Sequence, residues 1–179
     1  MNLIIHLVWS VLILLLFSFR YQIPGLDILL ALGFGTGIDL DHLYHFIRDH
    51  GVRSIFEVPF LRNYLEESKR PATAPRYHTV LHELLGVVVV LALSGFIFVE
   101  YSQLTAWIVL AAYLAHIILD TVSIRMMPLS PFCKEEICLA WVPPGSSREK
   151  RFLILSLAIL LMLSLVRYYC ALTRPSSLI

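Results

Sequence analysis

Apolar residues fall in five long blocks along the chain, separated in turn by short and long polar stretches. The blocks run from Leu3 to Phe19, about Pro24 to His42, about Thr79 to Val99, about Leu104 to Val122 and about Phe152 to Cys170. A bilayer-spanning helix needs roughly 20 mostly apolar residues, within a range of about 17–25. Each block therefore predicts a transmembrane helix. Short turns join the first block to the second and the third to the fourth. Segments 43–78 and 123–151 are longer and hold most of the charge. Within 51–70, Val52, Ile55, Phe56, Pro59, Phe60 and Leu65 alternate with charged residues, a mixture suited to a helix lying on a membrane surface. Pro71 and Pro75 end it. Pro128, Pro131, Pro143, Pro144 and Gly145 make the second long segment irregular. The first block lacks a basic start and a small-x-small site before Arg20-Tyr21, which predicts an uncleaved helix rather than a signal peptide.

The expected architecture is all-α: a polytopic membrane helix bundle of about five transmembrane helices, with residues 1–179 as a single membrane-embedded domain. Composition agrees. Hydrophobic residues make up 58% of the 179, charged residues 15%, and the mean hydropathy is +0.77. Soluble domains average about 45–50% apolar and about 25% charged, so the numbers argue against one soluble domain and exclude disorder. A net charge of +1 gives no pull toward nucleic acid. The three cysteines, Cys133, Cys138 and Cys170, form no disulfide framework, and Cys133-x4-Cys138 lacks the second pair of a structural zinc site.

Charge orients the bundle. Eleven of the fourteen basic residues lie in segments 43–78 and 123–151; the others are Arg20, Arg167 and Arg174. By the positive-inside rule both long segments are cytoplasmic, the first of them partly interfacial. A multi-pass protein of the cell (inner) membrane is expected, with its N-terminus inside and its C-terminus outside. The tract Arg148-Glu149-Lys150-Arg151 reads as a cytoplasmic anchor for the last span.

Ionisable residues within spans are costly, about 2.5–3.5 kcal/mol each on insertion scales, and mark function by default. Here they occur in three clusters: Asp39-Leu40-Asp41-His42, His78 to Glu83, and His116 to Asp120. The expected topology brings the end of the second span, the start of the third and the end of the fourth to the cytoplasmic edge. Three motifs distant in sequence can then share one pocket. His78 and His82 are four residues apart, as are His116 and Asp120, so each pair shares a helix face. Asp39 and His42 share one at a spacing of three. Gly33, Gly35 and Gly37 weaken the second helix just before its motif, and a local break there could turn both aspartates inward. The candidate metal ligands are Asp39, Asp41, His42, His78, His82, His116 and Asp120. Seven exceed the needs of one zinc ion, so one or two divalent ions are expected, zinc first, with manganese or iron as alternatives.

Structural readings stand beside these. Asp39 can cap a helix starting at Leu40, His78 can face interfacial water, and His116 can simply hydrogen-bond Asp120. His45 and His50 read as solvated, and His6 as a satisfied polar residue, although it lies at the same expected depth. Glu83, offset about 100° from His82 on a regular helix, is the candidate general base. Arg76 and Arg125 are candidates for binding the substrate's developing negative charge.

The motifs Asp39-Leu40-Asp41-His42, Thr79-Val80-Leu81-His82 and His116-x3-Asp120-Thr121, followed by Pro128-Leu129-Ser130-Pro131-Phe132, resemble the YdjM-like (YbcI-like) family of membrane-bound metal-dependent hydrolases. The resemblance covers roughly residues 30–135. The chain departs from the family at one place: Tyr77 stands where the family has a histidine, and His78 where it has an arginine. The resemblance implies phosphoester chemistry, because the family is distantly similar to the all-helical zinc-dependent phospholipases C. The expected activity is hydrolysis of a phospholipid or lipid-linked phosphoester or ester by metal-activated water, with the bilayer and a lipid or lipid-linked substrate as partners. The sequence leaves the oligomeric state open. Two alternatives stay open. A di-iron desaturase or hydroxylase needs about eight histidines in doublets, whereas this chain has seven and no doublet. A non-enzymatic scaffold would bind no metal through these residues.

Overall fold

The computed structural model describes residues 3–39, 51, 80–123, 132, 139, 141–143 and 145–173, with the backbone alone at Asp39 and Val80. All regular structure among them is helical: α1 (Leu3–Ser18), α2 (Gly25–Gly35), α3 (Leu84–Glu100), α4 (Gln103–Ser123) and α5 (Ser147–Thr173). Two 3₁₀ turns, Gly37–Asp39 and Val80–His82, follow α2 and precede α3.

All five predicted helices begin within about five residues of the expected position, and the boundaries have local causes. Pro24, extended at φ −61° and ψ 152°, sits at the N-cap of α2, where its missing N–H costs nothing. Ser102 caps α4 by accepting the Thr105 N–H at 3.3 Å. Ser146 accepts the Glu149 N–H at 3.1 Å, and Glu149 accepts the Gly145 N–H at 2.6 Å. This reciprocal cap starts α5 at Ser147, just before the tract expected to be a charged anchor.

Two boundaries differ from expectation. The second helix was expected to reach His42; α2 stops at Gly35, where the Thr36 N–H caps Leu32 and the chain tightens into a 3₁₀ turn. The third was expected to start at Thr79; α3 begins at Leu84, after Glu83 adopts an extended backbone at φ −109° and ψ 175°. His82 thus belongs to a 3₁₀ turn. The helical offset drawn between Glu83 and His82 does not apply.

Helix α4 is the hub. It packs against α1, α2 and α3, while α5 rests on α1. One core cluster joins Ile13 and Leu14 of α1, Ala31 of α2, and Ile108 and Ala112 of α4. A second joins Ile38, Val90, Val109 and Tyr113. Close approach of α1 and α2 depends on Gly35, where a Cβ would overlap Ser10 Oγ. Gly86 does the same for α3, since a Cβ there would lie 2.6 Å from the Leu81 backbone.

The polarity of the bundle is inverted relative to a soluble protein. His6, Ser10, Asp27, Thr105, His116 and Asp120 are at most 1% exposed. Outward, α5 shows Ile154, Leu155, Leu161, Met162 and Leu165, and its buried residues are Glu149 and Ser156. Helices α4 and α5, with 21 and 27 residues, are long and apolar enough to cross a membrane by length and composition. Helices α1, α2 and α3 are shorter and apolar.

Candidate metal centre

The start of α1, the end of α2, the turn before α3 and the end of α4 meet at one end of the bundle. The convergence expected for the last three is seen, and α1 joins them. Each element is held there by specific contacts. Tyr113 of α4, fully buried, donates its hydroxyl to the Leu81 carbonyl at 2.8 Å and fixes the turn carrying His82. Thr36 and Ser10 share a hydrogen bond at 3.2 Å, and Ser10 donates to the His6 carbonyl at 2.8 Å. Thr36 is therefore the donor to Ser10, which ties the end of α2 to the His6 turn. The last carbonyls of α4 would be orphaned at a helix end. Leu139 donates to Thr121 O at 3.2 Å, and Trp141 donates to Val122 O at 3.0 Å.

Asp120 lies at the centre, 1% exposed. Its Oδ1 is 3.1 Å from His6 Nε2; its Oδ2 is 3.2 Å from His82 Nε2 and 3.4 Å from His116 Nε2. His82 Nε2 and His116 Nε2 are 3.0 Å apart. The ring of His6 stacks on that of His116 at 4.1 Å and 27°.

Proton accounting constrains this cluster. His116 Nδ1 lies 3.0 Å from the Gly35 carbonyl. A carbonyl only accepts, so Nδ1 carries the proton, and Nε2 of the neutral ring presents a lone pair. That lone pair faces a carboxylate oxygen that also only accepts. Both point at a common space that either a proton or a cation must occupy. An Nδ1–H bound to a backbone carbonyl is also the usual outer support of a metal-ligating histidine.

The spacing fits a metal. Bonds of about 2.0–2.1 Å to a tetrahedral zinc put neighbouring ligand atoms about 3.3–3.4 Å apart. His82 Nε2, His116 Nε2 and Asp120 Oδ2 form a triangle with edges of 3.0, 3.2 and 3.4 Å. His6, His116 and Asp120 also offer ligand atoms within 4.8 Å of one another and could hold an ion. Donor chemistry and spacing therefore allow a metal ion here.

Of the residues singled out in the sequence, His82, His116 and Asp120 come together here. His116 and Asp120 do so through their shared face of α4. Asp39 closes the 3₁₀ turn after α2, and its side chain lies outside the described residues, as do Asp41, His42, His78, Arg76 and Arg125. Glu83 occupies the N-cap of α3 directly after His82. His6, read as a satisfied polar residue apart from the ligand set, is part of the cluster. Its only sequence signal was a depth matching that of the other motifs.

No family model matches the chain, no curated protein matches its sequence, and no solved structure matches its fold.

Proposed function

We propose that the protein is an integral membrane metal-dependent hydrolase acting on a phospholipid or lipid-linked phosphoester or ester at the cytoplasmic leaflet. The observation that carries this reading is the triangle of His82 Nε2, His116 Nε2 and Asp120 Oδ2, with edges near those of a tetrahedral ligand set. The apolar exterior of α5 supports a lipid setting, and the motif resemblance supports phosphoester chemistry. A bound divalent ion would bring a water to a pKa near about 7 and polarise the bond under attack.

The chain's own residues have separate tasks. His82, His116 and Asp120 supply the ligand atoms. Gly35 O holds the His116 tautomer with Nε2 turned inward. Tyr113 keeps the His82 turn in place through Leu81. Glu83, next in sequence to His82, takes up the proton released from the attacking water. Arg76 and Arg125 bind the phosphoryl or acyl oxygens. A site at the end of the helices, flanked by apolar surface, favours a substrate whose reactive group sits at the headgroup level.

Two measurements on detergent-purified protein test the proposal. Elemental analysis should find zinc, manganese or iron near one or two ions per chain, and His116→Ala should lose it. The metal-loaded protein should release product from phosphoester or ester lipids in mixed micelles, and Glu83→Gln should slow release while keeping the metal. Wild-type protein without metal would overturn the proposal; metal without hydrolysis of any lipid ester would overturn its enzymatic half.

A further inference from the structure

We propose that His6 of α1 is a positioning residue for Asp120 rather than a metal ligand. The inference rests on the metal-centre reading above and assigns a part of that site absent from the three sequence motifs. His6 is 1% exposed in the first turns of α1, far in sequence from every motif it meets. Its Nε2 lies 3.1 Å from Asp120 Oδ1, whereas His82 and His116 approach Oδ2. The carboxylate is thus divided. One oxygen completes the ligand triangle, and the other is held by His6.

A carboxylate on an Asp side chain turns about χ2 with little resistance. A donor fixed on Oδ1 stops that turn and holds Oδ2 against His82 and His116. The grip is itself rigid. The His6 ring stacks on His116 at 4.1 Å, and its carbonyl takes the Ser10 hydroxyl at 2.8 Å. One turn on, Trp9 donates to Ser156 of α5 at 3.2 Å and stacks on Phe152. Helix α1 is therefore clamped between α4 and α5, with His6 at the inner side of the clamp. With Nε2–H donating to Oδ1, the nitrogen has no lone pair left to offer a cation.

The test uses Co2+ as the probe ion in full-length protein. Tetrahedral Co2+ absorbs intensely in the visible, and the band responds to ligand identity and number. His6→Leu should bind Co2+ about 10–100-fold more weakly in chelator competition, the usual cost of losing an outer partner of a ligand. At saturation its stoichiometry and visible band should match those of the wild type. His6→Gln, which keeps an N–H donor, should restore affinity to within a few-fold. A changed band or a lower stoichiometry in saturated His6→Gln would make His6 a ligand and overturn the inference. Wild-type affinity in His6→Leu would overturn it as well. If His6→Leu does not fold, the band and affinity of His6→Gln decide alone. Failure of the wild type to bind Co2+ overturns the metal centre itself, an outcome distinct from failure of a His6 variant against a binding wild type.

Discussion

Two buried aspartates stand at opposite ends of the same helix pair, and their surroundings could hardly differ more. Asp120, near the end of α4, meets three imidazoles. Asp27, in the first turn of α2, meets one hydroxyl: Thr105 donates to its Oδ1 at 2.8 Å, and Oδ2 has no hydrogen-bond partner among the described residues. Both are at most 1% exposed. The contrast separates two uses of a buried acid. Thr105–Asp27 fastens α4 to α2 where the helices begin. Apolar packing by Ile13, Ala31, Ile108 and Ala112 fills the space between the two ends. Among the described residues, no file of polar side chains connects them there, which argues against a continuous ion path along this pair. Around Asp120, three imidazole nitrogens converge on one carboxylate, a donor set that could hold a metal ion.

The largest effect should come from breaking the richer end. Asp120→Ala removes the shared partner of His6, His82 and His116. Leaving buried donors without their acceptor costs about 1–3 kcal/mol, and with three imidazoles affected at once the upper end, about 3 kcal/mol, is expected, read as a lower unfolding temperature in detergent. The variant should also ignore added Zn2+. At an ion concentration of about 100 times Kd the wild type should gain about 2.7 kcal/mol, a gain that a chelator reverses.

Gly35→Ala comes next. Its Cβ would overlap Ser10 Oγ, and overpacking of this kind costs about 1–3 kcal/mol. Because Gly35 O also receives His116 Nδ1, Co2+ affinity should fall together with stability. Loss of stability with unchanged affinity would uncouple the α1–α2 contact from the cluster.

At the poorer end the effects should be smaller and metal-blind. Thr105→Val removes the donor to Asp27 and should cost about 1–2 kcal/mol, with unchanged Co2+ affinity. Asp27→Asn keeps an oxygen for Thr105 and replaces the unpartnered Oδ2 with an amide, so stability should stay within about 1 kcal/mol. A drop in metal content in either variant would show that the two ends are coupled and would erase the distinction.

Much of this bundle was legible from apolar run length and helical period. Both signals are local, and they located the helices and the His116–Asp120 pair. The expected direction of each helix then brought the motif ends together. What escaped depended on contacts between distant segments. The start of α3 carries no Ser, Thr, Asp or Asn cap signal, and the need for Gly86 arises only from the Leu81 backbone folded against it. His6 sits in an otherwise apolar run, where a lone histidine reads as a satisfied core residue. Its partner is 114 positions away, and no periodicity within α1 could point there. The break after Gly35 was foreshadowed by three glycines, but the value of the freed carbonyl to His116 was not.

Helix α5 leans on α1, and α1 carries both Trp9 and His6. The indole of Trp9, bonded to Ser156 on one side and one helical turn from the imidazole on the other, is therefore a built-in optical gauge. Its emission colour and quenching should follow any sliding of the outermost helix. Such sliding would be transmitted through a single rigid rod to the carboxylate of Asp120.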